Sequence, residues 1–296
     1  MTISELTRTM RKNLRPLYDE REATAVAYVY VCAKLAMQRY EIVLRGDEPV
    51  DEQLMAEIRR DMEKLAQGCP VQYVLGETEF YGLPFEVSPA VLIPRPETEE
   101  LVQMVVESYK EREFSAPKSL WDVGTGSGCI AVSLAKNLPG AEVFATDISE
   151  EALAVAQRNA RRNGVEVALA LHDMSDAEHL PFADRQFDLI VSNPPYIPAS
   201  GRAAMHRNVT DYEPPLALFV PDDDTLWCYE AVARLAQRTL VPGGRLFVET
   251  YHDFHEGIAA IFARYGLRDI QSFRDLNGQL RFVTAVNRSD RIPAVE

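Results

Sequence analysis

The sequence predicts an α/β protein: a largely parallel sheet covered by helices on both faces, preceded by a helical bundle. Three observations lead to it. After residue 115, short apolar runs alternate with helical patterns, as in strand–helix–strand units. Before residue 68, apolar positions recur at helical spacing and no strand pattern interrupts them. Ser119 to Ile130 runs from a short apolar strand through a loop with glycine at 124, 126 and 128 into the apolar start of a helix. Such a loop can turn sharply, and the helix after it presents free N–H groups, so the corner suits a nucleotide-like ligand.

Residues 1–68 are expected to form a helical domain. Glu22 to Tyr40 carries Ala, Val, Tyr, Leu and Met at helical spacing, and Gly46 to Val50 breaks the pattern. Asp51 then caps a helix through Leu54, Ile58, Met62 and Leu65 that ends near Gly68. Arg8, Arg11, Lys12 and Arg15 cluster near the start, read either as a solvated helix face or as a contact to a phosphate-bearing partner. Residues 69–97 read as a linker and β-hairpin: Phe80 to Val87 is rich in aromatic and β-branched residues around a turn at Gly82–Pro84. Arg95 lies between two prolines in an extended segment, and Thr98 is a candidate cap for a helix from Glu99 to about Lys110.

Residues 98–288 hold the α/β domain. Its first strand precedes the Gly124 loop. Glu142–Thr146 is the second, ending at Asp147, and Ser149 caps the next helix, which Gly164 ends. Val165–Leu171 is the third strand and leads to Asp173. Phe187–Val191 is the fourth and leads to Asn193. A loop of about thirty residues follows, longer than a connector needs. Leu226–Leu240 is a helix, Arg245–Thr250 the fifth strand, and Glu256–Tyr265 a helix. Leu267–Phe273 and Leu280–Val286 are joined by Asp275-Leu-Asn-Gly278, a hairpin signal. Ser289 to Glu296 reads as a loose tail.

Composition narrows the function classes. The 296 residues carry a net charge of −14, a poor match to phosphate backbones, so no direct DNA binding is expected and a protein partner is favoured. No apolar run reaches eighteen residues, so no membrane span is expected, and the N-terminus lacks the apolar core of a signal peptide. Four scattered cysteines without CxxC spacing fit free thiols in a reducing cytoplasm.

In open α/β sheets, ligands sit beyond the carboxyl ends of the strands. Gly124, Thr125, Gly126, Ser127 and Gly128 form the loop there. Asp147 suits a carboxylate holding both hydroxyls of a ribose; its competing role, a helix cap, is one that Ser149 can fill. Asp173 can accept from an adenine amino group or be a surface aspartate. Asn193-Pro194-Pro195-Tyr196 is the specific signal. The prolines hold the backbone extended, leaving the Asn193 side-chain oxygen and the Pro194 carbonyl to accept from the two hydrogens of a planar –NH₂ group, with Tyr196 against its flat face. His252 and His255 follow a strand end and read as a solvated loop; no metal is expected.

With these motifs together, the chain resembles the class I S-adenosyl-L-methionine (SAM)-dependent methyltransferases, Rossmann-like enzymes. Within them it resembles the protein glutamine N5-methyltransferases that modify release factors. The likeness covers nearly the whole chain and includes Phe80-Tyr-Gly-Leu-Pro-Phe85, Leu92 to Glu99, Asp122 to Ile130, Asn193 to Ile197 and Tyr212-Glu-Pro214. It implies a seven-stranded sheet whose last pair is antiparallel, SAM as cofactor, and methylation of the glutamine in the Gly-Gly-Gln tip of bacterial class 1 peptide chain release factors. The helical domain, which carries no catalytic motif, is expected to recognise the substrate, and the scattered cysteines fit an enzyme of the cytoplasm. This chain has Met174 where many relatives carry Trp beside the adenine. The residues alone leave open a ribosomal-protein glutamine, an adenine in nucleic acid, or a SAM-binding module without catalysis.

Overall fold

The computed structural model describes residues 1–110, 118–182 and 185–288; the tail expected from Ser289 lies outside them. The described chain forms two compact units. One comprises Met1–Glu77 with Met205–Tyr212, the other Thr78–Ala204 with Glu213–Glu296.

The first unit is helical: Ile3–Leu14, Glu20–Leu35, Arg39–Leu44, Glu52–Ala66 and Val71–Leu75. Three of these starts have a side-chain cap. Thr2 and Glu5 form a capping box, Asp19 accepts from the Glu22 amide, and Asp51 accepts from the amides of Gln53 and Leu54. The second helix stops at Ala36, which takes φ 51°, so the helical pattern up to Tyr40 is divided between two helices. Val71–Leu75, expected as linker, is a single helical turn closed by Gly76. Leu6, Met10, Leu14, Ala27, Tyr30, Val31, Ile58 and Leu65 form the core. Buried Asp61 accepts from the Tyr30 hydroxyl at 2.8 Å and pairs with Lys34 at 2.9 Å, which satisfies its charge. In the basic cluster, Arg11 and Arg15 both face Glu20, at 3.5 and 2.8 Å. Residues 205–212 of the long loop belong to this unit. The His206 ring stacks on Tyr18 with centroids 5.2 Å apart, and the Tyr212 hydroxyl donates to the Gln67 carbonyl.

The α/β unit begins with a hairpin of β1 (Glu77–Phe80) and β2 (Leu83–Glu86). Tyr81 and Gly82 both have positive φ, so the turn sits one to two residues earlier than expected and Pro84 lies inside β2. The following helix starts at Pro96, as proline favours a first helical position. Thr98 is therefore inside the helix and does not cap it. Its hydroxyl has other partners, described below.

The main sheet comprises β3 (Ser119–Val123), β4 (Glu142–Asp147), β5 (Ala168–Leu171) and β6 (Phe187–Ser192), then, beyond the short parallel pair β7 (Ile197–Pro198) and β8 (Phe219–Val220), β9 (Leu240–Glu249), β10 (Leu267–Arg274) and β11 (Leu280–Asn287). Its seven strands run in the order β10-β11-β9-β6-β3-β4-β5; β9, β6, β3, β4 and β5 are parallel and β11 is antiparallel to both neighbours. The antiparallel last pair follows the resemblance. β5 is shorter than expected, starting at Ala168, and β9 is longer, with a register shift across the Pro242–Gly244 segment.

Side chains alternate across this sheet with period two. Leu120, Leu189, Val191, Phe247 and Phe282 pack on one face with the helices Pro96–Lys110 and Cys129–Asn137. Trp121, Ile190, Leu246, Val248 and Val283 pack on the other with Trp227–Thr239 and His255–Arg264. Both faces are covered, which is why the strands read as nearly continuous apolar runs. The chain enters at β3, moves outward to β4 and β5, and returns to β6 on the other side of β3. That reversal opens a crevice between the carboxyl ends of β3 and β6.

Candidate active site

The Gly124 loop leaves β3 and Asn193 leaves β6, so the two motifs flank this crevice. A cavity of about 300 Å³ lies there, within the range of small-molecule sites. It is lined by Gly124, Thr125, Gly126, Ser127, Asp147, Asp173, Met174, Asn193 and Pro195 among the residues singled out in the sequence. Gly128, Pro194 and Tyr196 are not among its lining residues.

Gly124, Gly126 and Gly128 all have positive φ, the region that disfavours a side chain. At Gly128 a Cβ would come within 3.0 Å of the Ala156 Cβ, so this glycine serves close packing of two helices. At Gly126 a Cβ would meet no atom within 4 Å, so the space beside the loop is open to a ligand. The loop is pinned from below. The amides of Gly124 and Thr125 donate to the Thr146 carbonyl, and the Thr125 hydroxyl donates to buried Asp122 at 2.6 Å. Burial pushes the Asp122 carboxyl up to about 7, against the lowering effect of its donors Thr125 and Ala131.

Asp147 ends β4 and accepts from the amides of Gly126 at 2.8 Å and Ser149 at 3.0 Å. The cap of the next helix is Ser149, whose hydroxyl accepts from the Ala152 amide. Desolvation raises the Asp147 carboxyl above its usual range, opposed by these backbone donors. Asp173 is exposed and closes a small turn by accepting from the Ser175 amide. Met174 reaches the loop: its Cε lies 3.5 Å from where a Gly124 Cβ would stand.

Asn193 sits in a network that sequence reading missed. Its Nδ2 donates to the Thr98 hydroxyl at 3.0 Å, Thr98 donates to Glu249 Oε2 at 2.7 Å, and the Tyr196 hydroxyl donates to Glu249 Oε1 at 3.1 Å. The Tyr196 hydroxyl is thus held by Glu249, a partner the sequence reading did not name. Glu249 is 1% exposed at the carboxyl end of β9. Burial pushes its carboxyl up to about 7, opposed by Thr98, Tyr196 and the charge of Arg281, while Glu97 adds to the rise. The sequence signal was available: an acid closing an apolar strand, as Asp147 does. Glu213, within the Tyr212-Glu-Pro214 likeness, is given no role by the sequence. It is buried, accepts from the Ile93 amide at 3.1 Å and pairs with Arg95 at 2.6 Å, which fixes the Leu92–Arg95 wall of the cavity. His252 and His255 take separate partners, Asp253 at 3.4 Å and the Thr250 hydroxyl at 2.8 Å.

Known proteins resemble both parts of the chain. The model of the methyltransferase small domain matches residues 100–211, and that of the PrmC N-terminal domain matches residues 5–76. A Thermus thermophilus 16S rRNA N2 G1207 methyltransferase, solved with AdoMet and guanosine, shares the fold at a TM-score of 0.52 and 20% identity, covering 72% of this chain and 50% of that one. A methyltransferase from Pyrococcus furiosus does so at 0.51 and 18% identity, covering 81% and 100%. The chain is 38% identical over 283 residues to a release factor glutamine methyltransferase of Bacteroides thetaiotaomicron, covering 96% of this chain and 99% of that protein. It is also 38% identical over 270 residues to the Flavobacterium psychrophilum protein of the same name, covering 91% and 94%. Likeness of this strength along nearly the full length goes beyond a common fold: the chain belongs to the release factor glutamine methyltransferase family.

Proposed function

We infer that this protein is a SAM-dependent protein-(glutamine-N5) methyltransferase whose substrate is the Gly-Gly-Gln glutamine of bacterial class 1 peptide chain release factors. The observation that carries the reading is that Asn193 and the glycine loop line one cavity, in a chain of this family.

The cavity fits the cofactor. Gly126 leaves room beside its backbone, and Asp147 offers an acceptor already oriented by two amides. Gly124, Thr125, Ser127, Asp173 and Met174 would line the rest of the pocket, with Gly128 shaping the loop by its packing. When bound, SAM supplies a methyl group on a positively charged sulfonium, already activated for transfer. A side-chain amide is a weak nucleophile because its lone pair is delocalised. The task of the protein is therefore to orient that nitrogen and to stabilise the charge that develops on it. Asn193 Oδ1, left free because Nδ2 is held by Thr98, would accept one amide hydrogen, and the Pro194 carbonyl the other. Pro195 keeps the two acceptors rigid.

The helical domain has no such chemistry and is assigned to substrate recognition. The reading places the enzyme in the cytoplasm with its substrates and requires neither DNA nor membrane contact, in keeping with a net charge of −14. Labelled SAM, incubated separately with release factor, ribosomal protein and DNA, tests it. Label on the Gly-Gly-Gln glutamine is expected; label confined to ribosomal protein or DNA would overturn the assignment.

A further inference from the structure

We propose that Glu249 and Thr98 are positioning residues that fix which end of the Asn193 amide faces the substrate. The inference rests on the catalytic reading of Asn193. It adds a device, built from three elements distant in sequence, that sets the direction of that side chain.

A threonine hydroxyl has one hydrogen and two lone pairs. Thr98 is 2% exposed and directs its hydrogen at the Glu249 carboxylate, 2.7 Å away. With Glu249 ionised, only lone pairs remain for Asn193, so the Asn193 atom 3.0 Å from Thr98 is then the donor nitrogen. The carbonyl oxygen of Asn193 is thereby turned away from Thr98 and left free for a donor. A flipped amide would set two acceptors against each other in a buried place, which is costly.

Glu249 also holds the other end of the motif. Tyr196 donates to its second oxygen at 3.1 Å, and burial leaves that phenol far less acidic than usual, so it remains a donor. One carboxylate therefore anchors Asn193 through Thr98 and Tyr196 directly, with two stiff prolines between them. A carboxylate suits the position because it accepts from two donors at once.

Thr98→Val removes the hydroxyl with little change of shape, and Thr98→Ser keeps it. In single-turnover methylation of release factor at saturating SAM, Thr98→Val is expected to be about 10- to 100-fold slower. Its SAM affinity should stay within about threefold, and Thr98→Ser should recover to within about threefold of the parent. Glu249→Gln, which can accept from one donor but not both, should fall between Thr98→Val and the parent. A second measurement needs no substrate. In the full-length protein with SAM, the Asn193 side-chain amide protons are expected to exchange with solvent at least about tenfold faster in Thr98→Val than in the parent, with the slow rate restored in Thr98→Ser.

Parental turnover in Thr98→Val or in Glu249→Gln would overturn the relay. So would a loss that serine does not restore, or Asn193 exchange indifferent to Thr98. If the parent modifies no release factor but the exchange pattern holds, the substrate assignment fails and the relay stands.

Discussion

Asn193 is the residue on which turnover should depend most. Asn193→Ala removes one preorganised acceptor and leaves the glycine loop and Asp147 in place. Loss of such a partner costs about 2.7–4 kcal/mol, or roughly 10²–10³ in turnover, with SAM affinity little changed. Single-turnover rates with calorimetry of SAM binding check this, and equal loss of both would move Asn193 into the donor pocket. Asp147→Ala should do the reverse. Removing a charged acceptor costs on the order of 1.5–3 kcal/mol, roughly 10- to 150-fold in SAM affinity; unchanged affinity would take Asp147 out of the site. The buried acids also set a pH dependence. Glu249 is raised from 4.5 to about 7, so between those values the folded state binds more protons than the unfolded one. Stability should therefore fall as pH rises from about 4.5 to about 7, and Asp122 acts in the same sense. Denaturant melts across that window should show a shallower fall in Glu249→Gln, and parallel curves would mean that burial of this carboxylate costs nothing.

At the scale of elements, a single side chain ties the hairpin to the glycine loop. Asn159, fully buried in the helix Glu150–Arg162, accepts from the Glu86 amide at 2.6 Å and donates to the carbonyls of Glu86 and Ser127, both at 2.9 Å. It joins β2 to the segment that opens the helix after β3. Asn159→Ala would leave several backbone groups without partners at about 1–3 kcal/mol each. We expect a loss of at least about 2 kcal/mol, seen as a fall of about 4–8 °C in melting temperature, together with weaker SAM binding as the loop loosens. A variant that melts with the parent would show that the hairpin does not depend on this side chain, its apolar contacts at Phe80 and Phe85 and the Arg158–Glu86 pair being enough.

For the molecule as a whole, every residue lining the cavity belongs to the α/β unit. Deleting residues 1–68 should therefore spare SAM binding while impairing methylation of intact release factor. Calorimetry and methyl transfer, measured on the same preparation, separate the two. Parental methylation would mean that the helical domain recognises nothing. Collapse of SAM binding would mean that it supports the catalytic fold.

Local chemistry determined a large part of this protein. The alternating apolar runs specified the covered sheet, caps such as Asp51 and Ser149 set helix starts, and the glycines and Asn193-Pro-Pro-Tyr196 marked the strand ends that border the cavity. These signals lie within a few residues of one another, so one chain suffices to read them. Other features needed the folded chain. The pairing of β6 beside β3 set the glycine loop and Asn193 on either side of one crevice. Thr98 read as a cap because its neighbours in sequence suggested nothing else, yet its partners are 95 and 151 residues away. Glu249 looked like an ordinary acid and Glu213 was marked only by the Tyr212-Glu-Pro214 likeness, since burial and a distant donor are properties of packing. The sequence by itself chose the elements and the reactive motif. Only the tertiary structure decided which way the Asn193 amide points, because that direction depends on where Thr98 donates its one hydroxyl proton, and the fold alone brings Thr98, Glu249 and Asn193 together.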